Sequence, residues 1–415
     1  MLTTMTFINP KFCIFFTFIV FLISFFIPSD FFYSVVGEKN HSFLNIESLF
    51  YISLCVVFFS AGMRAFSFLP KEHAHKTTKK VLSSSSIIFL LSLCNIINAL
   101  ITYNIFSKNK ALIISTFVFG DSAKILMTDT DLGGTFSSLT ITLSALSLWC
   151  YYRADTVQKN KTLINLLVLF AFIIALSKPL LFMSRLGIMS TLSGYAAIFM
   201  FHKYKKGQSK AIFFYALLLA TIVIGVFISV SFLRAGSENA DNSALLKNLF
   251  GYTIVSYSHL GALLEGTLKY YDPGFGYYIF TFLRDIPLIG DSIASFFGWG
   301  DPYSIWLREF QDSWRAGLNG DLIWLTGFGY VFVSLGWFSL FFFFIYGFFM
   351  KCAWHSFING KDFGIIFYPW IYFCVLFLFG TNVIAAKTTF LLILSLICIK
   401  IYTFVFGSTY KVQPE

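Results

Sequence analysis

The chain has 415 residues, 57% of them hydrophobic and only 12% charged, with a formal net charge of +10. A soluble domain carries about 25% charged residues, so a water-soluble globular fold is excluded. The basic residues sit in short segments between apolar runs, not on one soluble face, which excludes a nucleic-acid-binding protein as well.

A spanning helix needs about 20 mostly apolar residues. In chain order the candidate spans are Phe12–Pro28, Ile46–Met63, Val81–Tyr103, Leu132–Tyr152, Thr162–Lys178, Leu186–Phe201, Ile212–Phe232, Leu322–Met350, Phe363–Gly380 and Thr388–Phe406. The run Phe12–Pro28 is long, Phe-rich and without a small-x-small cleavage site, and it reads as a retained first span. An eleventh run, Ala111–Met127, is interrupted by Asp121 and Lys124. All seven cysteines lie in or beside apolar runs with no CxxC pair, so neither a disulfide framework nor a thiolate metal site is expected.

Lys and Arg concentrate in short cytoplasmic loops. The stretches Arg64–Lys80 and His202–Lys210 are the most basic, so an even number of crossings should separate them. Leaving out Ala111–Met127 gives four crossings, and both termini and the loops Arg153–Lys161 and Lys351–Lys361 then fall inside. The expected fold is therefore an all-α polytopic membrane protein with about ten transmembrane helices. Residues 1–233 form an N-terminal bundle of seven spans, in which 111–131 is a re-entrant or surface segment on the outer side. Residues 322–415 form a C-terminal bundle of three.

Between them, 234–321 is one long outer loop of 88 residues with ten acids and six bases, net −4, against +14 for the remainder. Loops beyond about 15 residues are usually functional or disordered, and this one is too apolar and aromatic for disorder. Ser243–Tyr271 reads as a helix stopped by the turn Asp272-Pro273-Gly274. Tyr303–Leu318 places Trp306, Phe310 and Trp314 on one helical stripe, with Arg308, Asp312 and Arg315 opposite, as in a helix lying in the headgroup plane.

Several side chains in and near this loop suit group-transfer chemistry. Arg185, Arg234 and Arg284 fall at outer span ends or in the loop, and a guanidinium fork matches phosphate oxygens in pairs. Arginines at helix ends also snorkel to headgroups, which is the plainer reading. His259, Glu265 and Asp272 are the candidate general bases. His259 and Glu265 sit about 120° apart on one helix, so they do not form a pair by themselves. Trp299, Trp306, Trp314 and Trp324 suit sugar stacking or an interfacial belt, the belt being the commoner use. No HExxH, P-loop, GxSxG or dinucleotide fingerprint appears, and no metal, nucleotide or other cofactor is expected.

Ten spans, one dominant outer loop after the seventh and outer-face arginines resemble the Wzy-type O-antigen polymerases, the oligosaccharide repeat unit polymerases. Three stretches carry the resemblance: Ser184-Arg185-Leu186-Gly187, the loop run Tyr257 to Phe280, and Asn319-Gly320-Asp321 followed by Gly327-Phe328-Gly329-Tyr330. An arginine with glycine eleven residues on, found in outer loops of some members, is absent: position +11 is Ala196 after Arg185, Leu245 after Arg234 and Ser295 after Arg284.

The resemblance implies a GT-C-like glycosyltransferase of the bacterial inner membrane that joins undecaprenyl-pyrophosphate-linked oligosaccharides into O-antigen or a related surface polysaccharide. Arg185, Arg234 and Arg284 would bind pyrophosphate, and His259, Glu265 or Asp272 would act as base. Membrane lipids surround it, a chain-length-regulating co-polymerase is implied as partner, and no nucleic acid is. An O-antigen ligase shares the large loop and the lipid donor and is the alternative. A transporter or flippase would show paired internal repeats, which this chain lacks.

Overall fold

Helix starts follow from side chains that satisfy the first free backbone N–H groups. In the computed structural model, α1 (Pro10–Phe25) opens with the Asn9 side chain accepting from the Lys11 N–H and with proline in the first position. Pro28 separates it from α2 (Ser29–Val36), and the two meet at 97°. Asn45 and Ser48 form a reciprocal capping box at α3 (Ile46–Ala65). The structure describes residues 6–38, 43–68, 79–119, 134–154, 159–182, 184–208, 214–215, 218, 221–222, 225, 228–229, 250–251, 253–320 and 322–410.

The chain continues as α4 (Ser84–Lys108), α5 (Lys110–Phe119), α6 (Gly134–Ala154), α7 (Lys161–Leu181) and α8 (Arg185–Lys205). Short helices follow: α9 (Ile254–Leu264), α10 (Tyr277–Phe280), α11 (Gly290–Phe296) and α12 (Pro302–Arg315). The last four are α13 (Thr326–Leu335), α14 (Ser339–Ile358), α15 (Asp362–Leu376) and α16 (Thr388–Phe406). Two three-residue strands, Lys79–Val81 and Ser408–Tyr410, pair antiparallel.

Among the described residues, six helical runs are long and apolar enough to cross a membrane: Ile46–Phe68, Ser84–Lys108, Lys161–Leu181, Thr326–Ile358, Asp362–Phe379 and Thr388–Phe406. The bent pair α1–α2 makes a seventh if counted as one span. Apart from that short strand pair, the regular structure among the described residues is helical, and the chain is a multi-pass membrane protein. Helices α6 and α8 are 21 residues each but less apolar, because Ser and Thr replace apolar residues along them. Of the expected span Ile212–Phe232, residues 214–215, 218, 221–222, 225 and 228–229 are described and helical, and the rest lies outside the described residues. In the stretch 111–131, helix α5 covers the first part and the rest lies outside them.

Close helix packing rests on small residues. A Cβ on Gly62 of α3 would collide with the Phe344 carbonyl of α14, and one on Gly347 would collide with the Phe59 carbonyl in return. At one end of the bundle, Asp362 opens α15 and accepts from Arg153 at 2.6 Å and from the Trp149 indole at 3.0 Å, with the Lys400 ammonium at 3.6 Å. Behind it, Tyr152 stacks on Phe201 and donates to the Phe357 carbonyl at 2.6 Å.

The other end carries the unit formed by residues 253–325. Its own core includes Leu268, Tyr278, Trp299, Ile305, Leu318 and Leu325. Helix α9 stops at Leu264, not at Tyr271 as the sequence suggests. Gly266 takes φ 78° and the Leu268 N–H folds back onto the Ala262 carbonyl, so the chain turns before the Asp272-Pro273-Gly274 turn is reached. Several bonds tie the unit to the bundle. Tyr257 donates to the Thr17 carbonyl at 3.0 Å, Asn382 to the Tyr278 carbonyl at 2.7 Å, and Lys387 pairs with Asp285 at 3.3 Å.

Candidate functional site

Helix α12 decides the chemistry of the loop unit. Asp301 caps it by accepting from the Ser304 N–H, and Pro302 fills the first helical position. The buried arc is Ile305, Glu309, Asp312 and Ser313, while Trp306 and Trp314 are exposed. Two carboxylates therefore point inward and two indoles outward, the reverse of a helix on a soluble protein. Arg308 and Arg315 stay exposed, with the Arg308 guanidinium 4.0 Å from the Tyr271 ring centroid. Asp312, which shares their stripe in the sequence, instead turns in and accepts from the Tyr271 N–H at 3.0 Å.

Glu309 lies in a cavity of about 230 Å³ lined also by Tyr277, Tyr278, Thr281, Tyr330 and Asn382. Its carboxyl accepts from the Tyr278 hydroxyl at 2.7 Å and from the Tyr330 hydroxyl at 3.5 Å. Burial raises its pKa to about 7, against the pull of those two hydroxyl bonds and with a further push from Asp312. The Asn382 amide nitrogen is held by the Tyr278 carbonyl, whereas its Oδ1 is buried with no partner among the described residues. A carboxyl poised near neutrality beside an open amide oxygen can take a proton from a hydroxyl and orient it.

A second, larger cavity of about 350 Å³ opens among α4, α6, α7, α8, α15 and α16. It is mostly apolar, with Asn98, Thr140, Ser144, Ser184 and Lys178 contributing polar atoms. Ser184 caps α8 by accepting from the Gly187 N–H at 3.2 Å. The two cavities share one chain segment. Thr381, Asn382 and Ala385 line the first and Thr388 lines the second, so the three residue steps from Ala385 to Thr388 hold their walls within about 10 Å at full extension.

Among the residues singled out from sequence, Trp306 lines the Glu309 cavity and Ser184 the larger one, whereas none of the described candidate bases and arginines lines either. His259 is fully buried and bonds Glu38 at 2.9 Å, and Glu38 in turn accepts from the Asn319 N–H at 3.0 Å. Glu265 is exposed and accepts from the side chain of Asn45. Asp272 is exposed and accepts from the Gly274 N–H at 2.9 Å within its turn. Arg185 is buried at the first residue of α8. Arg284 donates to the Gly300 carbonyl at 2.8 Å. Arg234 lies outside the described residues. Trp299 is buried and donates to the Phe275 carbonyl.

Sequence reading passed over Glu309, Asn382 and Lys178. A signal for Glu309 existed: Ile305, Glu309, Asp312 and Ser313 follow i, i+4, i+7, i+8, a helical stripe next to the aromatic one. Among the described residues, no group of three or more His, Cys, Asp or Glu side chains is placed to hold a metal ion.

Fold and cavities together define a multi-pass helical membrane protein with a buried carboxyl at one end. No protein-family model matches the chain, and no curated protein or solved structure matches it.

Proposed function

We propose that this protein is a membrane glycosyltransferase that polymerises polyprenyl-pyrophosphate-linked oligosaccharide units, with the 253–325 unit on the outer face of a bacterial inner membrane. The observation that carries the reading is Glu309, a carboxyl with its pKa raised to about 7 in a cavity beside tyrosine hydroxyls and the Asn382 oxygen. A reaction of this class needs a base for a sugar hydroxyl and cations for a leaving pyrophosphate.

In this mechanism Asn382 Oδ1 accepts from a hydroxyl of the acceptor sugar and Glu309 takes the proton. The hydroxyl oxygen attacks the anomeric carbon of the donor. The bond from that carbon to pyrophosphate breaks, and the lipid pyrophosphate leaves with the electron pair. Tyr278 keeps the Glu309 carboxyl aimed into the cavity. Glu309 replaces His259, Glu265 and Asp272 as the preferred base, because His259 is sealed against Glu38 and the other two are engaged at the surface.

The test is the lipopolysaccharide banding of a deletion strain complemented with wild type or with Glu309→Gln at matched expression. Wild type should restore a ladder and Glu309→Gln should leave core capped by a single repeat. Loss of all repeat units on deletion would make the protein the ligase instead. An unchanged ladder on deletion would refute glycan transfer altogether.

A further inference from the structure

The cavity among the spanning helices holds a cation whose arrangement the Glu309 chemistry does not explain. Lys178 lies near the end of α7, and its ammonium donates to the Ser137 carbonyl at 2.6 Å, the Ser137 hydroxyl at 2.9 Å and the Thr140 hydroxyl at 3.2 Å. Those three neutral oxygens use all three donors, and among the described residues no carboxylate pairs with it. An uncompensated ammonium among spanning helices is costly and ordinarily marks a ligand or ion path. Lys387, at the start of α16, lies close enough to repel it, which adds to the local positive potential.

Two further features describe what would sit there. Tyr195 lines the same cavity, is buried, and its hydroxyl has no partner among the described residues. Asn98, Thr140, Ser144, Ser190 and Thr191 also line it but donate to neighbouring oxygens within the bundle, and much of the rest of the wall is apolar, with Ile141, Leu148, Ile174, Phe182 and Leu392. One open hydroxyl and one unneutralised cation inside a mostly apolar chamber fit an anionic head on a hydrocarbon tail. They do not fit a sugar, which needs many polar partners, or a free ion, which needs none of the apolar wall.

We infer that the Lys178 cavity seats the phosphate-bearing head of a polyprenyl lipid, with Lys178 opposite the phosphate and Tyr195 donating to it. The inference rests on the glycosyltransferase reading for the identity of the lipid and adds the place where its phosphate is held. The Thr381–Thr388 segment then runs between lipid head and base, short enough for both to act on one donor.

The full-length protein, purified in detergent, is mixed with a polyprenyl monophosphate, with the same polyprenol lacking phosphate, and with inorganic pyrophosphate. Retention is read by native mass spectrometry. Wild type and Lys178→Arg should retain the polyprenyl phosphate, while Lys178→Met should weaken it at least about tenfold, the loss expected on removing the one cation that faces the phosphate. Tyr195→Phe, which removes one oxygen and keeps the ring, should weaken it several-fold and serves if Lys178→Met folds poorly. Equal retention of polyprenol and polyprenyl phosphate, or normal binding by both Lys178→Met and Tyr195→Phe, would overturn the assignment. Pyrophosphate binding as tightly as the lipid would overturn the lipid part of it. A strain that keeps its ladder on deletion, with phosphate-dependent binding intact, would sink the polymerase reading and leave the cavity assignment standing.

Discussion

The Tyr278 hydroxyl donates to the Glu309 carboxyl at 2.7 Å, while the Tyr278 backbone carbonyl accepts from Asn382 at 2.7 Å. One residue therefore fixes both the acid and the amide of the loop-end cavity. Tyr278→Phe should free the Glu309 carboxyl while leaving the backbone bond to Asn382 in place. The expected result is a drop in polymer formation of roughly tenfold, smaller than for Glu309→Gln, measured as ladder length and intensity at matched protein level. A full-length ladder would show that the hydroxyl does not position the acid.

A carboxyl with its pKa raised to about 7 gives the reaction a pH signature. As a base it works ionised, so repeat-unit joining in membrane vesicles should rise with pH through about 7. A rate independent of pH between 6 and 8 would exclude Glu309 as the base.

Stability should move the other way. The folded-state pKa lies above the ordinary carboxyl value, so the contribution of Glu309 is full below that value and is lost as pH rises through about 7. The difference is on the order of 3 kcal/mol. Glu309→Gln should abolish it, making the variant relatively more heat-resistant than wild type at pH 8.5 than at pH 5 in a detergent thermal-shift assay. Parallel pH profiles for the two proteins would contradict this.

His259 should behave as a structural residue. Its bond to Glu38, and that of Glu38 to the Asn319 N–H, join the chain after α2 to the loop unit in a closed interior. His259→Ala leaves the Glu38 carboxyl buried and short of a partner, at a cost of about 3 kcal/mol, and should lower protein yield. Ladder formation per folded molecule should be preserved. Normal yield with no ladder would restore His259 to the chemistry.

Leu288 stands fully exposed at a turn with φ 71°. In the proposed orientation, Leu288→Cys should react in intact cells with a maleimide that cannot cross the inner membrane but has been admitted through the outer one. Labelling only after the inner membrane is opened would invert the topology.

Much of the fold is legible in the sequence because spanning helices announce themselves by length and composition alone. The six runs found in the structure coincide with six of the apolar runs read from the chain. Asn9, Asn45, Ser184 and Asp301 mark helix starts just as clearly. The interior of the loop unit was less legible. A carboxylate is ordinarily assigned to solvent, so nothing in the composition says that Glu309 and Asp312 turn inward while Trp306 and Trp314 turn out. His259 and Glu38 are 221 residues apart, and only tertiary packing makes them partners. Lys178 was visible as a flanking charge at a span end, but its lack of a carboxylate emerges only once neighbouring helices are in place.

The short stretch from Asn382 to Thr388 works as a covalent ruler. Side chains can rotate away from one another, but two points on a chain can never lie farther apart than the bonds between them allow. Adding one residue there would lengthen the connection by up to about 3.5 Å. That is comparable to the length of a hydrogen bond and enough to carry the Asn382 amide away from the Tyr278 carbonyl that holds it. The length of this stretch is dictated by the cavity wall that stands at either end.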